Sequence, residues 1–356
     1  MSSLTSLRSN KRDILSLLSS DDKALFQAAW DEARLKHGYD FTFYLPGMIR
    51  YGSTRGRYPA VSITGTHCDL LCEHCKGRLL EPMVHVPDPA EFRGLARRIK
   101  DRGALGLLLS GGSDRSGNLP WERFYDAIAR AYEETGLVMS AHVGFPDRET
   151  CRRLKQAGIK QALTDVMGDR KTATRVYHLK SETVVLKALE SISQSGLALA
   201  PHVVAGLYYG RLEGEKKALE FISRYKPDVV VIVVLSPLKG TPMASVVPPS
   251  PLEVARLIAE ARLLMPEIPI ALGCERPRNR QGWMLERLAV RAGATRMSVW
   301  SDEAIQEALE LGLKPRFQLT CCSVPFRDDF ACRTDLTTEI ARRRGAMAGQ
   351  ARTAES

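Results

Sequence analysis

The sequence predicts an α/β protein built as a (β/α)8 or partly open barrel, and three observations predict it. From residue 60 onward, eight short β-rich runs alternate with amphipathic stretches, the pattern of a parallel sheet wrapped by helices. Polar and glycine residues gather at the carboxyl ends of those runs, where barrels of this kind keep their chemistry. The length, 356 residues, suits one large core with an extension at each end.

Residues 9–36, rich in Leu, Ala and charge at helical spacing, read as one or two amphipathic helices. Residues 37–59 mix aromatics with Gly and Pro, which suits an ordered loop or short strands capping the barrel. The eight strands are expected at 60–66, 104–110, 137–143, 161–165, 197–204, 229–235, 268–272 and 295–299. Helices are expected between them at 89–101, 121–134, 182–195, 213–225, 251–264 and 282–292, and after them at 301–313. The expected organisation is a helical and loop extension over 1–59, the barrel over 60–313, a cysteine-bearing segment over 314–336 and a basic, flexible tail over 337–356.

Lys and Arg number 51 against 41 Asp and Glu, giving a net charge of +10, which favours acidic partners through long-range steering. No apolar run approaches the roughly 18 residues of a spanning helix. The N-terminus has no apolar stretch ending in a cleavage site, so a cytoplasmic protein is expected. In that reducing compartment the eight cysteines (68, 72, 75, 151, 274, 321, 322 and 332) read as ligands, reactive thiols or core fillers rather than disulfides. Cys151, alone on a helix beside Arg152 and Arg153, reads as structural.

Cys68, Cys72 and Cys75 stand in a C-x3-C-x2-C spacing directly after the first strand. Three thiols on one short loop can turn inward on a single metal centre. One reading is a structural Cys3His zinc site completed by His67 or His74; the other is an iron–sulfur cluster with one iron left open. At the remaining strand ends stand Ser110-Gly111-Gly112-Ser113, His142, Asp165, His202, Ser236 and Gly273-Cys274.

The cysteine spacing and its position resemble the radical S-adenosylmethionine (SAM) enzymes. The resemblance implies a TIM-like barrel and a [4Fe–4S] cluster on Cys68, Cys72 and Cys75 whose open iron chelates SAM. It further implies SAM contacts from His74, from Ser110, Gly111, Gly112 and Ser113, from Asp165 to the ribose, and from Lys180 to the carboxylate. His142, His202 and Arg276 are substrate-side candidates.

Within the superfamily, Lys239-Gly-Thr-Pro242 and Ala292-Gly-Ala294 resemble segments of the biotin and lipoyl synthase group. Biotin synthases hold a second cluster on barrel cysteines; the matching positions here fall near Ser110, His142 and Ala200, none of them cysteine. Cys274 and the Cys321, Cys322 and Cys332 group instead offer ligands for an auxiliary cluster, with Ser323 or Arg276 as candidates for a fourth site. The chain therefore resembles a component of the two-protein lipoyl synthases. That resemblance implies abstraction of hydrogen from C6 or C8 of a protein-bound octanoyl group and sulfur from the auxiliary cluster. Implied partners are an acidic octanoyl or lipoyl carrier protein, a sister radical SAM protein, and an electron donor such as ferredoxin or flavodoxin. Alternatives are a biotin-synthase-like or maturase-type enzyme on a small molecule and, from another class, a zinc-stabilised basic nucleic-acid-binding protein. The latter lacks aromatics interleaved with basic residues on any strand pair.

Overall fold

The computed structural model describes residues 13–16, 18–332 and 336; the expected tail at 337–356 and the first twelve residues lie outside them. In chain order the elements are α1 (Asp13–Ser16), α2 (Ser20–His37), β1 (Asp40–Tyr44), β2 (Arg50–Tyr51), β3 (Thr54–Arg55), β4 (Ala60–Ser62), β5 (Val84–His85), α3 (Pro89–Asp101) and β6 (Gly106–Ser110). Then follow α4 (Tyr125–Thr135), β7 (Val138–His142), α5 (Arg148–Gln156), β8 (Gln161–Asp165), α6 (Thr183–Ser195), β9 (Ala198–Ala205), α7 (Glu215–Ser223) and β10 (Val230–Val234). The last are α8 (Pro251–Leu264), β11 (Ile270–Leu272), α9 (Arg280–Arg291), β12 (Arg296–Ser298), α10 (Asp302–Glu310) and β13 (Lys314–Gln318).

Among the described residues eleven strands form one parallel sheet in the order β13-β1-β12-β11-β10-β9-β8-β7-β6-β4-β5, curled into an open half-barrel. β2 and β3 make a separate antiparallel ribbon. All eight expected strands are present. The sheet also reaches beyond both limits set for the barrel: β1 lies in the stretch read as an ordered loop or short strands capping it, and β13 in the cysteine-bearing segment. Their pairing partners are distant in sequence, Thr42 standing beside both Arg296 and Arg316, so local pattern alone does not reveal them.

Each strand alternates between two apolar environments. Outward residues such as Leu107, Leu109, Met139, Ala162, Val203, Ile232 and Met297 join the main core under the helices. Inward residues Tyr44, Leu163, Ala200, Val231, Val233 and Ala271 line the lumen together with Cys322. Burial on both faces explains why β10 reads as an unbroken Val-Val-Ile-Val-Val run, all five residues buried.

The helices start on local signals. Ser19 with Asp22 and Ser250 with Glu253 form capping boxes, and Pro89 and Pro251 occupy first-turn positions. Asp22 also fastens α2 to α8 by receiving Arg256 Nε at 2.6 Å and an Arg256 terminal nitrogen at 3.0 Å. The two sides of the open sheet are tied through Arg57: its amide donates to the Leu319 carbonyl and its carbonyl accepts from the Leu105 amide, both at 2.8 Å.

Candidate active site

After β4 the chain turns through Gly65 (φ 62°) into the cysteine loop, where Leu71 (φ 44°) and Lys76 (φ 46°) take left-handed backbone. Such non-glycine residues cost about 1–2 kcal/mol each, so the loop is held in shape from outside. The Ser113 carbonyl accepts from the Asp69 and Leu70 amides at 2.8 and 3.1 Å, and faces Cys68 Sγ at 3.8 Å. The Glu73 amide donates to the Val176 carbonyl at 2.9 Å. Gly112 lies flat against the loop: a Cβ there would come within 1.9 Å of the His67 carbonyl oxygen and 2.5 Å of Cys68 Cβ. The glycine at the end of the β6 strand thus answers to the cysteine loop itself, not simply to a ligand.

Cys72 is buried and Cys68 and Cys75 are half-buried. A sulfur-to-sulfur hydrogen bond raises the Cys72 thiol and lowers Cys75 to about 4, with His74 further favouring the Cys75 thiolate. Burial pulls the His74 imidazole down, but the hydrogen bond and charge of Cys75, together with the charges of Asp165 and Glu275, raise it overall. His74 Nδ1 is buried with no hydrogen-bond partner. Thiolates in this number suit an iron–sulfur cluster, and the Gly112 cradle and unmet His74 nitrogen fit a group seated here. Among the described residues no three His, Cys, Asp or Glu side chains close on a single metal ion; the cysteines of a cubane stand further apart than the ligands of one ion.

Inward of this loop, the strand ends bring His142, Asp165 and His202 together. His142 Nε2 is 3.5 Å from Asp165 Oδ1, Tyr177 donates to Asp165 Oδ2 at 2.6 Å, and the two imidazoles lie 5.5 Å apart. Burial opposes the charge on Asp165, yet the histidines and the Tyr177 hydroxyl hold it well below the usual carboxylate range. Burial and the charge of His142 lower His202 to about 4, while Asp165 keeps His142 raised despite burial. The expected ribose ligand is therefore already engaged at both oxygens. Tyr177, which follows a π-helical turn at Thr172–Val176, also stacks near His74 at 5.3 Å. Nothing in residue spacing singled it out. Lys180 is exposed beyond that turn, and Ser236 Oγ is buried without a partner.

The later cysteines divide. Cys321 and Cys322 enter the lumen, Cys322 packing with Tyr44, Ala200 and Val231, and Cys321 with Tyr58 and Leu108. Their mutual hydrogen bond lowers Cys321 to about 6 and raises Cys322, and Ser323 Oγ lies 3.5 Å from Cys321 Sγ. Cys274 is exposed at the mouth, yet surrounding protein and the nearby Cys321 push its thiol up to about 11. Cys332 goes elsewhere: its amide donates to the Phe317 carbonyl at 2.7 Å and it packs against the outer core. Arg276 is also removed from the substrate side. It is buried, donating to Glu286 at 2.6 Å, to the Ser298 carbonyl at 2.8 Å and to the carbonyls of Gly273 and Val299. Cys151 is a fully buried core residue on α5.

Residues 232–330 match the Biotin and Thiamin Synthesis associated domain. A biotin synthase of Cenarchaeum symbiosum is 26% identical over 59% of this chain and 65% of its own. Biotin synthase 2 of a Polaromonas species is 30% identical over 58% of this chain and 59% of its own. The chain thus spans about three fifths of the length of these relatives. Among solved structures, methylornithine synthase superposes with a TM-score of 0.60 at 19% identity, covering 85% of this chain and 92% of that one. A maturase of the [FeFe]-hydrogenase also gives 0.60, at 16% identity over 85% and 70%; both likenesses bear on the fold. With its Cys68, Cys72 and Cys75 loop seated directly after β4, the chain is similar in sequence to biotin synthases and in fold to these radical SAM-type half-barrels.

Proposed function

We propose that this protein is a sulfur-inserting radical SAM enzyme acting as a component of a lipoyl synthase. Cys68, Cys72 and Cys75 would hold a [4Fe–4S] cluster, and Cys274, Cys321 and Cys322 an auxiliary one. When bound, the first cluster with SAM supplies a strongly oxidising carbon radical, the chemistry required for methylene C–H bonds that have no acidic proton. The chain's own groups bind and orient. Gly112 and the Ser113 carbonyl fix the cysteine loop, His74 and Tyr177 flank it, and the half-buried His142–Asp165–His202 group keeps one wall of the lumen polar. The net change at the substrate replaces C–H bonds at C6 or C8 of a protein-bound octanoyl group by C–S bonds.

One observation carries the reading: a thiol pair from the far end of the chain enters the lumen beside Ala200 and within electrostatic reach of His142. These are positions where the biotin synthase resemblance would set cysteines on the strands themselves. For the partner, the mouth loops expose Leu71, Leu79, Tyr209, Leu212 and Val247 near the exposed bases Arg78, Lys171 and Lys239. That mixture suits an acidic carrier domain. A sister radical SAM protein and a ferredoxin or flavodoxin donor complete the proposed system.

The test is anaerobic purification followed by incubation with reductant, SAM and an octanoylated carrier peptide, with and without a sister protein, read by mass. About eight irons per chain and a sulfur gain on the peptide are expected. Deoxyadenosine with sulfur gain on dethiobiotin instead would favour the second reading, a biotin synthase, which the curated relatives support. Deoxyadenosine without sulfur gain on either substrate would favour a maturase-type role. Zinc without iron would defeat all three and revive the nucleic-acid alternative.

A further inference from the structure

At the opposite, amino-terminal mouth of the barrel lies a cavity of about 120 Å³. Three neighbouring strands build its wall, because register places Arg296, Thr42 and Arg316 side by side on β12, β1 and β13. Tyr44, two residues further along the same face, is fully buried and lines the cavity with a hydroxyl that has no hydrogen-bond partner. The Thr42 hydroxyl beside it does not meet bonding geometry. Arg316 Nε is likewise buried and unpartnered, while its terminal nitrogen reaches Asp40 at 3.0 Å.

The charge around the cavity is predominantly basic, with two arginines and one carboxylate in its lining. His37 at its edge has Nε2 2.7 Å from an Arg262 terminal nitrogen and 3.0 Å from the Pro266 carbonyl. Burial and the surrounding arginines lower His37 to about 4 against the pull of the Pro266 carbonyl. Arg262 is itself fully buried and bonded to backbone carbonyls, with no carboxylate in an ion pair with it among the described residues. Arg34, stacked on Trp30 at 4.6 Å, has three guanidinium nitrogens without partners. Asp40 is the carboxylate lining the cavity.

We propose that this cavity binds a compact oxyanion of the phosphate or sulfate class, received by the Tyr44 hydroxyl, Arg316 Nε and the free donors of Arg296. Unmet buried donors in a positive field lose several hydrogen bonds on folding, and a tetrahedral anion restores them with charge-assisted ones. Arg296 gives the site a second significance: it also donates to the carbonyls of Cys322 and Ser323 at 3.2 and 3.4 Å. An anion seated here is one side chain away from the lumen thiols. Binding does not depend on the proposed activity, so the two ideas fail separately.

Isothermal titration calorimetry of the full chain with inorganic phosphate, and separately with sulfate, tests it at fixed ionic strength with chloride as the balancing anion. One saturable site per chain is expected, weakened about tenfold by Arg316→Gln and about fivefold by Tyr44→Phe, the scale of one charge-assisted and one neutral hydrogen bond. Arg98→Gln on the exposed face of α3 should bind as the parent does. Absence of saturable heat with both anions overturns the site, as does binding unchanged in both Arg316→Gln and Tyr44→Phe. Equal competition by chloride overturns it too, by reducing the effect to general screening.

Discussion

Cys68, Cys72 and Cys75 share one short loop whose shape is imposed by neighbours from β6 and the π-helical turn. Cys274, Cys321 and Cys322 come from two separate segments and fall within electrostatic reach of one another only because the half-barrel curls around them. The first group is local chemistry braced by the fold; the second is chemistry created by the fold. A local group survives changes at a distance, whereas an assembled one fails when its scaffold shifts.

The largest effect should separate the two groups outright. Cys72→Ala is expected to cut reductive SAM cleavage by at least about 1000-fold, because one ligand of three is lost, whereas Cys321→Ala should leave deoxyadenosine formation within a few-fold and abolish sulfur transfer. Deoxyadenosine and product mass, measured side by side, check this; equal loss of both activities in Cys321→Ala would erase the distinction. Next comes the scaffold of the second group. Glu286→Leu leaves the buried Arg276 guanidinium without its 2.6 Å partner, a change costing about 3–5 kcal/mol. Denaturant unfolding should register that loss, and iron content should fall toward one cluster.

Gly112→Ala addresses the local group. With its Cβ placed against the His67 carbonyl and Cys68, the cysteine loop must move, costing about 1–3 kcal/mol. Iron bound to a Cys274/Cys321/Cys322 triple variant, which isolates the first cluster, should drop in the added presence of Gly112→Ala. The smallest effect belongs to Cys332→Ala. Since that thiol packs on the outer core, iron content and sulfur transfer should match the parent, with stability lower by about 1 kcal/mol.

The same contrast governs what the sequence makes legible. The eight strands and the cysteine triad are written in short stretches, as alternation, turn residues and C-x3-C-x2-C spacing. β1 and β13 are not, because Thr42 meets Arg296 and Arg316 only through pairing across most of the chain. For the same reason Cys332 resembles its neighbours in sequence yet packs on the outer core beside β13, and Arg276 looks available until the Glu286 carboxylate and three backbone carbonyls are seen to surround it. Tyr177 stands between His74 and Asp165 by virtue of a π-turn, a backbone irregularity that side-chain patterns do not encode.

The pairing of β1 with β12 and β13 also sets an order of events during synthesis. Contacts this distant in sequence form late and slowly, so the sheet edge stays incomplete until the chain has been made through Gln318. The cysteine loop needs only segments up to the π-turn, all of them available when barely half of the chain has emerged. A nascent chain would thus carry a shaped first thiol site beside an exposed, unpaired strand edge, an aggregation hazard. Early metal loading and protection of that edge are expected to govern the yield of folded protein together.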